Sequence, residues 1–85
     1  MVADREVTLP TSLNLEKCME FVEVCNASKC DIFFSKDQMR VNGKGILGVV
    51  TFMLNLKEGE SIGIQAKGTD SDKVLDHLSE LLSSN

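Results

Sequence analysis

Few side chains in this sequence are of a type and spacing that do chemistry. There is one histidine, His77, and there are three cysteines, Cys18, Cys25 and Cys30. Neutral imidazole has a free lone pair near pH 7 and can take up a phosphoryl group or a proton. His77 sits within a leucine pattern that reads as a helix, one residue before Leu78, with no helix start beside it to hold an anion. It reads as a solvent-side or boundary histidine. The cysteines and His77 are potential zinc ligands, but no CxxC spacing occurs, so neither a metal site nor a cofactor is expected. Cys18 and Cys25 stand seven residues apart on one predicted helix. That is a rise of about 10.5 Å, too long for a disulfide. Cys18 falls in the first turn of that helix, where the dipole lowers a thiol's pKa, yet its place on the apolar stripe points to a buried, inert side chain. There are no paired carboxylates, no Ser/His or Cys/His constellation and no glycine-rich phosphate loop, so an independent enzyme is not expected.

The elements that must position these residues fit one small domain spanning residues 1–85. A chain of this size buries about 60–65% of the surface its unfolded form exposes. That suffices for one core and not for a deep catalytic cavity. The net charge of −4 and the absence of Trp and Tyr argue against nucleic acid and anionic membrane, which reward clustered Lys and Arg. The longest apolar stretch, Gly45 to Leu54, is too short to span a bilayer. The start, MVADREV, has no apolar signal core, and an odd number of cysteines suits a reducing compartment, so a cytoplasmic location with free thiols is expected.

Glu6 to Leu9 alternates polar and apolar, with Val7 and Leu9 on one face, and Pro10 ends this strand. Asn14 is a good helix N-cap. After it Leu15, Cys18, Met19, Val22 and Cys25 form an apolar stripe, with Glu16, Lys17, Glu20 and Glu23 on the wet side. Cys30 to Ser35 reads as a strand with Cys30, Ile32 and Phe34 on one face and Phe33 on the other. Met39 to Val41 returns as a short strand, and Asn42-Gly43 is a strong turn signal. Gly45 to Leu56 reads as a helix with Ile46, Val49, Val50, Met53 and Leu56 on one face, although a run this apolar is also compatible with a buried strand. Ser61 to Lys67 alternates, with Ile62, Ile64 and Ala66 inward. Gly68 turns the chain, and Asp70 caps a last helix carrying Val74, Leu75, Leu78, Leu81 and Leu82. The order β-α-β-β-α-β-α with one apolar face per element packs most economically as an α+β open-faced two-layer sandwich, a sheet with helices on one side.

This order and length, with three local motifs, resemble the HPr family of phosphocarriers of the bacterial phosphotransferase system. The motifs are Phe21 to Cys25 (FVEVC), Val41 to Val50 (VNGKGILGVV) and the region from Gly59 onward, with SIGIQAKGTD. Family members show an NGK-type turn, read here as Asn42-Gly43-Lys44, then a Lys-Ser-Ile-Met-Gly-Val helix start, read here as Lys44-Gly45-Ile46-Leu47-Gly48-Val49. The stretch Phe52 to Leu54 looks about two residues longer than the family's. The resemblance implies a four-stranded antiparallel sheet with three helices on one face.

The resemblance also implies two sites, and this sequence departs from both. The family's Gly-Leu-His-x-Arg-Pro-Ala motif, whose histidine takes phosphate from enzyme I and passes it to enzyme II components, reads Ser12-Leu13-Asn14-Leu15-Glu16-Lys17-Cys18. Asn14 thus stands at the phosphorylated histidine position and Glu16 at the arginine position. An amide nitrogen has no free lone pair, and a carboxylate for a guanidinium turns attraction of a phosphoryl group into repulsion. Each such term is roughly 3 kcal/mol at about 5 Å and an effective ε near 20. Gly45 occupies the regulatory serine position and carries no hydroxyl. The surface by which relatives meet enzyme I, enzyme II or a catabolite-control regulator maps onto Leu13, Asn14, Lys17, Lys44, Ile46, Leu47 and Val50.

The expectation is therefore an HPr-like binding and regulatory module that takes no phosphate. The alternatives are a working phosphocarrier using a non-family residue, and a structural or oligomeric module built through the sheet face around Phe33.

Overall fold

A computed structural model describes residues 2–10 and 13–83. Ser12, read above as part of the helix-start motif, lies outside the described residues. The elements are β1 (Val2–Thr8), α1 (Leu15–Ala27), β2 (Asp31–Lys36), β3 (Met39–Asn42), α2 (Ile46–Leu54), β4 (Ser61–Lys67) and α3 (Ser71–Ser83). The four strands form one antiparallel sheet in the order β1-β4-β2-β3, with β1 and β3 at the edges.

Alternation decides which side of the sheet is covered. Val7, Ile32, Phe34, Ile62, Ile64 and Ala66 are buried beneath the helices. Their strand neighbours Asp4, Glu6, Phe33, Ser35 and Gln65 belong to the opposite face, which carries no helix. Phe21 of α1 meets Phe34 of β2 edge-on, at 6.1 Å between centroids and 72° between planes, a preferred aromatic geometry. Leu75, Leu78 and Leu82 close the core from α3.

Three details differ from the sequence reading. β1 begins at Val2 rather than Glu6, because Val2, Ala3, Asp4 and Arg5 pair with Lys67, Ala66, Gln65 and Ile64 of β4. Arg5 also reaches α3, donating hydrogen bonds to the Asp76 carboxylate and the Ser79 hydroxyl. In α1 the buried stripe is Cys18, Phe21, Val22 and Cys25, while Leu15 and Met19 are exposed. In α2 the buried side is Val49, Phe52 and Met53, and Ile46 is exposed.

The turns follow their residues. Gly68 has φ +150, and a Cβ there would lie 3.0 Å from the Cys30 sulfur, so this turn needs glycine twice over. At the other end of β4, Leu9 and the loop bond reciprocally: Leu9 N–H donates to Glu60 C=O and Gly59 N–H to Leu9 C=O, both at 2.9 Å.

Candidate functional site at the starts of the first two helices

Asn14 has extended backbone (φ −100, ψ 173), and its side-chain oxygen accepts the Lys17 N–H at 2.8 Å. Its own carbonyl accepts the Cys18 N–H at 3.1 Å, opening α1. This is an N-cap, in which the side chain supplies an acceptor for one of the helix's orphan donors. Leu13 packs partly buried against the core. Glu16 is exposed in the first turn, where a carboxylate suits the positive end of the helix dipole. The Lys17 ammonium lies 4.0 Å from the Glu20 carboxylate.

Cys18 is fully buried beneath this first turn. Burial pushes its thiol pKa up, and a hydrogen bond to the backbone offsets only part of that rise. Burial likewise pushes the Cys25 thiol up to about 12 against the opposing charge of Lys44. Desolvation outweighs the helix dipole here, and these thiols are not activated nucleophiles.

The start of α2 is built differently. Gly45 is the N-cap and supplies no side-chain acceptor, its carbonyl receiving the Val49 N–H at 2.9 Å. A Cβ at Gly45 would meet nothing nearer than the Asn42 carbonyl oxygen at 3.6 Å. The position has room for a side chain, so packing does not require glycine there. Asn42 accepts the Lys44 N–H at 2.9 Å and so forms the turn. Lys44, read from the sequence as a partner contact, is engaged within the chain. Its ammonium donates to the Ser28 carbonyl at 3.1 Å, and its own carbonyl accepts from the Asn26 amide at 3.2 Å. A cation on the last carbonyls of α1 complements the negative end of that helix.

The sequence-derived site residues thus fall into two groups. Leu13, Asn14, Glu16 and Lys17 stand at the N-terminal end of α1. Lys44, Gly45, Ile46 and Leu47 stand beside its C-terminal end, about 20 Å away along a helix of 13 residues. An apolar surface accompanies both ends. Leu15 is 56% exposed, Met19 38%, Ile46 47%, Leu47 79% and Leu54 50%, with Val50 half-buried. Sequence reasoning placed Ile46, Leu47 and Val50 on this surface and missed Leu15, Met19 and Leu54. The available signal was Phe21, three residues after Cys18, which turns the buried arc of α1 away from Leu15.

His77 is exposed on α3, beside a groove of about 570 Å3 between the C-terminal half of α1 and α3 that Val24, Lys29 and Lys73 also line. Among the described residues no group of three His, Cys, Asp or Glu side chains converges as a metal site, and no helix is long and apolar enough to cross a membrane.

The family model described as the PTS HPr component phosphorylation site matches residues 3–84. The HPr-like protein Crh of Bacillus subtilis is 33% identical over 73 residues, which are 86% of this chain and 84% of Crh. Among solved structures, the crystal structure of the phosphocarrier protein HPr from Bacillus anthracis superposes with a TM-score of 0.83 at 28% identity, covering 96% of this chain and 98% of that one. A crystal structure of B. subtilis Crh, described as a swapped, intertwined dimer, gives a TM-score of 0.67 at 28% identity over 89% of this chain and 85% of Crh.

Proposed function

The chain belongs to the PTS-HPr family, an HPr-related regulatory or phosphocarrier-like group, and from that premise we propose that it is a binding and regulatory member that takes no phosphate on α1. The carrying observation is Asn14. In the family pattern its position belongs to the histidine that accepts the phosphoryl group, and here the side-chain oxygen is already committed to the Lys17 N–H at 2.8 Å. The amide nitrogen offers no lone pair to phosphorus. The exposed carboxylate of Glu16 repels an incoming phosphoryl group where the family has arginine. With Gly45 at the regulatory serine position, the second phosphorylation switch is missing as well.

Several features support retained docking. Ile46 and Leu47 lie open to solvent, and the Asn42-Gly43-Lys44 turn holds the start of α2 against the end of α1. On this reading the single domain, working in the cytoplasm, occupies partners that its phosphorylatable relatives use: enzyme I, enzyme II components or a catabolite-control regulator. The relative Crh is described in connection with catabolite repression, which favours the regulator among these.

Incubation with enzyme I and phosphoenolpyruvate, followed by intact-mass measurement at neutral pH, tests the reading. The expected outcome is an unchanged mass, together with a shift of enzyme I or regulator resonances on titration. A phosphorylated product sinks it, and peptide mapping then distinguishes His77 from any residue of α1.

A further inference from the structure

We propose that the helix-free face of the sheet is a weak self-association surface whose occupant is a second copy of this chain. The strand register carries the argument. Residues directly opposite one another on neighbouring strands share a face. Glu6 is opposite Gly63, Gly63 opposite Ser35, and Ser35 opposite Arg40. These four residues therefore form one row across all four strands, with an acidic residue on the edge strand β1, a basic one on the edge strand β3, its guanidinium folded inward over Phe33, and the two smallest side chains between them. The neighbouring row is Asp4, Gln65, Phe33 and Asn42.

Place a two-fold axis parallel to the strands, midway across the sheet and between two stacked copies. It lays β1 of one copy over β3 of the other and β4 over β2, and each row falls on its own symmetry mate. Glu6 then faces Arg40 of the second copy, twice, once from each side. Gly63 faces Ser35, the pair that permits the closest approach, and Phe33, with the Arg40 guanidinium stacked on it, falls on Gln65 beside the hollow at Gly63. That hollow occupies about 440 Å3 on this face. The match is one that an isologous interface requires, since a single patch must complement itself.

The charges are available for it. Glu6 is exposed and has no hydrogen bond or ion pair among the described residues. Arg40 lies 4.1 Å over the Phe33 ring, and its Nη2 donates to Gln65 Oε1 at 2.8 Å. Gln65 in turn donates to Asp4 Oδ1 at 3.2 Å. The guanidinium is thus pre-positioned, with most of its five donors unused among the described residues. Four strands spaced about 4.8 Å apart present about 400 Å2 per copy. Roughly 800 Å2 in total is below the range of stable complexes, so the dimer is weak and transient. Salt disperses it, because Glu6 and Arg40 are exposed to solvent.

The experiment is sedimentation velocity on the full chain over a concentration series reaching millimolar, at low and high salt. The proteins are wild type, E6R, R40E, the double variant E6R/R40E and Leu47→Glu, each checked for fold by circular dichroism. Reversible association of the wild type is expected, weakened at least tenfold by E6R or by R40E alone and restored in the double variant, where the pair is regenerated with its charges exchanged. Leu47→Glu should leave it unchanged. Where a charge reversal unfolds the chain, Glu6→Gln replaces it and should weaken association severalfold. The proposal is overturned by a wild type that stays monomeric throughout, by a double variant no better than the singles, or by loss of association in Leu47→Glu, which would place the contact on the helices. A slowly exchanging, salt-insensitive dimer also overturns it and would signify strand exchange.

Discussion

Replacing Gly43 by alanine should destabilise the fold by about 1–2 kcal/mol, and the geometry supplies the magnitude. A Cβ there would lie 2.9 Å from Cys25 Sγ, 3.0 Å from Ile32 Cγ2 and 3.2 Å from Phe34 Cε2. All three side chains are fully buried, and the Gly43 N–H is pinned to the Ile32 carbonyl at 2.7 Å. Neither side can yield easily. Overpacking of a filled core costs about 1–3 kcal/mol. Gly43 does not have a positive φ, so the reduced freedom of the unfolded chain returns about 0.4–1 kcal/mol. The difference is a net loss, read as a fall in the urea midpoint at constant slope. In a domain of this size it corresponds to about 4–8 °C of melting temperature per kcal/mol. Cys25→Ala removes the nearest atom. The double variant should therefore cost less than the two singles together, by about 0.5–1.5 kcal/mol. A Gly43→Ala protein as stable as the wild type would refute the steric argument, and strict additivity would show that Cys25 is not the limiting neighbour.

Other outcomes follow from the same geometry. Asn14→Ala should lower stability by about 1 kcal/mol through loss of the cap on Lys17, whereas Asn14→Asp should retain it; thermal melts compare them. Gly45→Ser should fold with stability within a few tenths of a kcal/mol of wild type, since space and backbone both permit a serine N-cap, as a urea titration will show. The native cysteines should resist iodoacetamide at pH 8 and react only on unfolding, because all three are buried and burial pushes Cys25 up to about 12; mass spectrometry counts the adducts. Glu60 is held below its ordinary pKa by hydrogen bonds first from Lys36 and then from the Lys57 N–H. Its contribution to stability is thus present above the unfolded carboxyl value and lost as pH falls through the lower folded one. Glu60→Gln should flatten the acid limb of a stability–pH curve below about pH 4.5.

Much of the fold was legible because its signals are local. Period-two alternation placed Ile62, Ile64 and Ala66 inward on β4, whose limits, Ser61–Lys67, agree with the sequence reading. Asn14 announced the start of α1, because a cap involves only the residue and its next three neighbours. Of the candidate site, the sequence located Asn14 at the start of α1 and Gly45 at the start of α2, because caps are local. Which residues share one end of a helix was not legible. Lys44 reads from the sequence as a partner contact, and only the fold brings the end of α1 beside it, where the Ser28 carbonyl accepts from its ammonium.

The sequence alone determined the order of the elements, the inward face of each strand and the residue types at the ends of the helices, since each rests on contacts within a few positions along the chain. The tertiary structure decided which arc of α1 is buried, how far β1 extends toward the N-terminus and why Gly43 must lack a side chain. An apolar helix pattern such as Leu15 to Cys25 admits more than one inward arc, and the edge-on contact of Phe21 with Phe34 of β2 fixes the one in which Phe21 is buried and Leu15 exposed. Likewise β1 starts at Val2 because β4, more than fifty residues away, offers partners for every position to Thr8. Such choices depend on distant segments meeting, and a local pattern carries no information about that.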